Sequence, residues 1–214
     1  MIELTLEQYG QALVEQTALF ADTARRAAPD TPVPTCPEWN LGELVEHLGQ
    51  VQYWVAEMVE KRVSDPSQLP TSVSPLPDDQ DAWAAWLAEG ASRAAAAGID
   101  AGADAPVWNP SGDGRSGTRF WLPRVLAETI IHRADAAVTA NVPYELDAAF
   151  AAGAISDHLA MMTSAGWAAQ RPESAEALRG NGQRLLLQAT DEPSLGEAGE
   201  WLIERGTDAA TWQQ

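Results

Sequence analysis

Apolar residues recur at helical spacing through most of the chain. Leu6, Tyr9, Leu13 and Phe20 form one stripe over residues 5–28, with Glu7 and Glu15 on other faces, which predicts a first helix. Prolines 29, 32, 34 and 37 then exclude a continuing helix and predict an extended connection. Asn40, with Glu43 three residues on, offers the N-cap of a second helix to about residue 63, whose stripe is Leu41, Leu44, Leu48, Val51 and Val55. A proline-rich crossover, residues 64–79, precedes a third helix over 79–97 carrying Trp83, Trp86 and Leu87. Residues 98–118 are glycine-rich, and a loop of that length predicts a mobile cover for a site. A fourth helix is expected from about Leu122, with Pro123 in its first turn, to about residue 140, where Asn141, Val142 and Pro143 break it. A fifth, over 147–165, presents Phe150, Ile155, Leu159 and Met162. Residues 171–182 are polar and weakly helical. The period then changes, and 184–190 and 200–205 read as two strands joined by a turn with glycine and proline. The pattern predicts a mostly α protein: a helical bundle over residues 1–170, then a linker and a short C-terminal β-hairpin over 171–214.

Composition narrows the function classes. With 13 basic against 31 acidic side chains, the formal charge of −18 opposes binding to phosphate backbones or anionic lipid, and an anionic substrate needs locally placed arginines. Arg115, Arg119, Arg124 and Arg133 are the candidates. Cys36 is the single cysteine, so no internal disulfide forms and nothing points outside the cell. The N-terminus shows neither a basic start nor an apolar run, and no stretch approaches the ~20 apolar residues of a membrane span. A soluble, cytoplasmic protein, monomer or homodimer, is expected.

The chemistry concentrates on the fourth helix. Glu128 and His132, four apart, share one helix face, and Asp135 lies near it. With His47 of the second helix they make a set of two imidazoles and one carboxylate, which leaves a metal ion one open position, as in catalytic rather than structural zinc sites. The bland alternative for Glu128 and His132 is a surface ion pair. Asp135 either orients His132 or neutralises Arg133, and Glu43, one turn before His47, has the same two readings. Cys36 reads as a small buried hydrophobe, His158 as a structural histidine. Trp39, Trp54 and Trp121 suit a pocket wall or the core equally.

Two stretches carry a family resemblance. Residues 34–49, Pro-Thr-Cys-Pro-Glu-Trp-Asn-Leu-Gly-Glu-Leu-Val-Glu-His-Leu-Gly, resemble the first signature of the mycothiol-dependent maleylpyruvate isomerase family. Residues 120–136, with Glu128, His132, Arg133, Asp135 and Ala136, resemble its second, Glu-x-x-x-His-Arg-x-Asp-Ala. Glu38 departs from the commoner glycine. The resemblance covers about the first 165 residues, and the tail from Arg184 is similar to the opening strands of the family's C-terminal domain, here shortened. It implies a DinB-like four-helix bundle with an extra helix, and a divalent metal, zinc, held by His47, Glu128 and His132. It further implies mycothiol as the thiol cosubstrate. The expected activity is cis–trans isomerisation or S-transfer on a small electrophile bearing a carboxylate, with Arg133 and Asp135 assisting. The competing classes are a non-catalytic DinB-like binding or scaffold protein with a vestigial metal site, and a hydrolase that uses metal-bound water.

Overall fold

Four long helices dominate the computed structural model, which describes residues 4–112 and 117–214: α1 (Leu6–Ala24), α2 (Leu41–Glu60), α3 (Trp83–Ala101) and α4 (Gly117–Ala140). The expected Asn40 and Glu43 form a reciprocal capping box at the start of α2, and Thr5 and Gln8 form another at the start of α1. Asn141, at φ 52°, ends α4 where the sequence predicted a break. These helices form a four-helix bundle in which α1 and α2 each pack on both α3 and α4. Leu13, Val55, Met58, Phe120 and Val125 fill one part of the core, and Phe20, Leu44, Leu48, Trp86 and Leu87 fill another. Helix packing is tight enough at Gly49 that a Cβ there would fall 1.9 Å from the Trp86 ring.

The start of α4 differs from expectation. Pro123 lies inside the helix, not in its first turn, although it supplies no backbone N–H to the ladder. The preceding turn is held by tertiary bonds: the Thr118 hydroxyl donates to the Gly102 carbonyl at 2.6 Å, and the Trp121 indole N–H to the Trp108 carbonyl at 2.7 Å. Ala105 and Val107 are buried in the same core. The described part of the glycine-rich loop is therefore packed, not loose, and its remainder, including Arg115, lies outside the described residues.

Contacts divide the chain into two compact units, the bundle with its connections (residues 4–108 and 117–145) and a second of residues 109–112 and 146–214. The second unit holds α5 (Ala148–Met162), the short α6 (Ala165–Gln170) and α7 (Pro172–Leu178), and strands β1 (Gln183–Gln188), β2 (Glu200–Arg205) and β3 (Ala210–Gln213). The strands form an antiparallel sheet in the order β1-β2-β3, so a third strand extends the expected hairpin. Leu185 pairs with Ile203 and Leu187 with Trp201. Trp201 is buried against Ala152 and Leu159, and its indole N–H donates to the Ser156 hydroxyl at 2.9 Å. The sheet's apolar anchor is thus α5.

Candidate metal centre

Along α4 the usual arrangement of polar and apolar side chains is inverted. Ile131 and Val138 face solvent, 55% and 52% exposed, while His132, Arg133 and Asp135 are buried at 7–9%. Burying ionisable groups is costly unless they are paired or bind a ligand, so this face of the helix is the place to look for chemistry.

The packing of α2 on α4 brings His47 to Glu128 and His132. His47 Nε2 lies 3.6 Å and His132 Nε2 lies 3.4 Å from the same carboxylate oxygen, Glu128 Oε2. One donor atom from each of the three residues falls within 4.8 Å of the others. Two ligands bound at ~2.0–2.1 Å to a tetrahedral zinc ion lie about 3.3 Å apart, so both measured separations suit a shared ion. The remaining atom of each α4 ligand is engaged elsewhere. His132 Nδ1 is 2.8 Å from Asp135 Oδ2, and Glu128 Oε1 is paired with Arg124 one turn earlier. Both side chains are held with their free atoms toward His47. The donor set therefore fits a divalent cation.

Electrostatics favour the same atoms. Burial, reinforced by the neighbouring His132, pushes the pKa of His47 down to about 4, which leaves its imidazole neutral and able to ligate. Burial works against an ionised Asp135. Hydrogen bonds from His132, Thr35 and Cys36 outweigh it and hold the carboxyl below its ordinary range. Cys36 is shifted the other way, by burial first and by the Asp135 charge next, with Sγ 3.8 Å from Asp135 Oδ2. A thiol held protonated beside a carboxylate is a poor nucleophile.

The other candidates separate. Glu43 is occupied in the α2 capping box, as its spacing from Asn40 predicted, and its carboxylate accepts from the Asn40 N–H. Asp135 contacts His132, the orienting alternative. Arg133 is directed to the segment after α4: its guanidinium lies 4.3 Å from the Tyr144 ring centroid and donates to the Glu145 carbonyl at 2.5 Å. Arg119 pairs with Asp104 at 3.5 Å, with both side chains exposed. Trp39 covers the two imidazoles, with ring centroids 4.8 Å from His47 and 5.9 Å from His132. Trp121 belongs to the core.

His47 also borders a cleft of about 450 Å³ between α2 and residues 70–75 of the proline-rich crossover. Three indole N–H groups staple that crossover to the bundle: Trp54 to the Pro70 carbonyl at 3.0 Å, Trp86 to the Ser74 hydroxyl at 3.1 Å, and Trp83 to the Pro77 carbonyl at 2.9 Å. Among the described residues, the wall beside His47 on this side is the stapled crossover. The abundance of tryptophan was the available signal, since a buried indole needs an acceptor for its N–H. Gln50, on the cleft, and the role of Arg124 toward Glu128 were also missed, though the four-residue spacing of the latter pair is plain in the sequence.

Residues 11–137 match the family model described as mycothiol maleylpyruvate isomerase N-terminal domain, a span that contains His47, Glu128, His132 and Asp135. No curated protein and no solved structure matches the chain. No helix among the described residues is long and apolar enough to cross a membrane.

Proposed function

Because the chain belongs to the mycothiol maleylpyruvate isomerase N-terminal domain family, we propose that it is a metal-dependent enzyme using a low-molecular-weight thiol, mycothiol, on a small electrophile. His47, Glu128 and His132 hold one divalent ion. Zinc suits two imidazoles and a carboxylate and also accepts sulfur. When bound, the ion offers an open position and lowers the pKa of an entering thiol, which makes the sulfur nucleophilic at neutral pH.

The chain's own residues prepare that position. Asp135 accepts the proton-bearing Nδ1 of His132, which fixes the tautomer with a free lone pair on Nε2. Arg124 holds Glu128 by its other oxygen, and Trp39 shields both imidazoles. With an electron-poor cis alkene, the thiol sulfur adds to one carbon and the carbanion forms on the other. The new single bond rotates, and elimination re-forms the alkene as trans and releases the thiol. With an electrophile bearing a leaving group, the sulfur displaces that group and stays attached.

The observation that carries this reading is the convergence of His47 Nε2, Glu128 Oε2 and His132 Nε2 while the opposite atoms of the α4 pair are engaged elsewhere. Elemental analysis tests it: about one divalent ion per chain is expected, lost in His47→Ala and in His132→Ala. Cobalt-loaded protein should then develop a sulfur-to-metal absorption band on adding mycothiol. Full occupancy in both variants overturns the site, and a loaded protein without that band points to bound water or to a binding role.

A further inference from the structure

The cleft beside His47 differs from what a carboxylate-bearing substrate requires. Carboxylates are recognised by arginine or lysine, and on a chain carrying −18 an anion without a local cation is repelled. Among the described residues, no arginine, lysine or carboxylate lines this cleft. Besides His47, its polar side chains are Gln50, Thr71 and Ser72, all uncharged, and its aromatic wall is Trp54. Gln50 Nε2 donates one N–H to Glu46 Oε1 at 2.9 Å, which leaves its carbonyl oxygen and its second N–H for a ligand, a neutral pair suited to hydroxyls, which both donate and accept. Trp54 is pinned by its bond to the Pro70 carbonyl and by edge-to-face contact with Trp121 at 5.2 Å, so it offers a fixed apolar surface. A volume of about 450 Å³ lies in the range of pockets that enclose small organic ligands.

We propose that this cleft is the subsite for the uncharged, hydroxyl-rich portion of the thiol cosubstrate, a sugar–cyclitol unit, and that the carboxylate-bearing electrophile approaches the ligands from elsewhere. The assignment rests on the thiol reading above and deepens it. The ring system lies along Trp54, its hydroxyls bond Gln50, Thr71 and Ser72, and the cysteinyl arm reaches past His47 to the ligand cluster. Specificity for this thiol over cysteine or a peptide thiol then resides in a neutral site on the crossover.

The test uses the full-length chain, metal-loaded and metal-stripped, titrated with N-acetylglucosaminyl-inositol, which lacks the thiol and any charge. Binding is expected in both forms, weakened about tenfold by Gln50→Leu and by Thr71→Val, each of which removes one hydrogen-bonding group. Thr71 is exposed on the crossover, so its substitution tests the site without burdening the fold. N-acetylcysteine and maleate, added to the loaded protein, should be unaffected by either variant. Absence of sugar binding, or sugar binding indifferent to both variants, overturns the proposal, as does weakened maleate binding. A protein that takes up no metal yet binds the sugar in this variant-dependent way fails the enzymatic reading while the subsite stands.

Discussion

His132 Nδ1 and Asp135 Oδ2 meet at 2.8 Å on one face of α4, both residues buried. This contact determines which nitrogen of His132 is left to face Glu128 and His47. Asp135→Asn retains the shape but replaces the negative acceptor with a neutral amide that can present either its oxygen or its N–H. Metal affinity should fall about 10–100-fold, with helix content unchanged. Competition against a chelator of known affinity measures this, and unchanged affinity would show that Asp135 merely fills space.

A pH dependence follows from His47. Its folded pKa, about 4, is below the ordinary value of 6.5, so between these pH values the unfolded chain takes up a proton that the folded chain refuses. Stability of metal-stripped protein should therefore be lost as pH falls from about 6.5 to about 4. The unscreened loss is up to about 3 kcal/mol. With the side chain 34% exposed, solvent screening reduces this to about 1 kcal/mol. His47→Gln should abolish that component, so thermal melts of wild type and variant should differ in slope across this window alone. Parallel curves would contradict the burial argument.

Arg133 allows its two roles to be told apart. Its guanidinium stacks on Tyr144 and bonds the Glu145 carbonyl, so Arg133→Met should cost about 1–3 kcal/mol by removing a buried charged donor and a cation–π contact. Metal content should stay at the wild-type level. If the variant is as stable as wild type but inactive, Arg133 acts on substrate.

Shortening the chain to residue 182 removes the whole sheet, including Trp201, the cover of Ala152 and Leu159. The shortened protein should bind hydrophobic dye more strongly yet keep its metal, because His47, Glu128 and His132 all lie upstream. Sedimentation adds a second reading: a dimer that becomes monomeric on shortening places the subunit contact in this segment. Loss of the metal would instead make the sheet a support of the site.

The long helices, the cap at Asn40 and Glu43, the break at Asn141 and the extended character of the first two strands of the tail were legible in the chain itself, because each depends on residues a few positions apart. The spacing of Glu128 and His132 likewise places them on one face before any packing is known. His47 was named as the third partner from its motif, but local pattern could not supply its position relative to the pair. His47 is 81 positions before Glu128, and only the packing of α2 on α4 brings its Nε2 to 3.6 Å from the carboxylate. The folded arrangement also chose between the alternatives that sequence left open for Asp135, giving it to His132. It carried α4 through Pro123, since the bonds of Thr118 and Trp121 to residues 102 and 108 offset a local signal for a later start. The crossover became a wall for the same reason: three indole donors find acceptors 6 to 16 positions away, a pairing set by the folded arrangement of the chain.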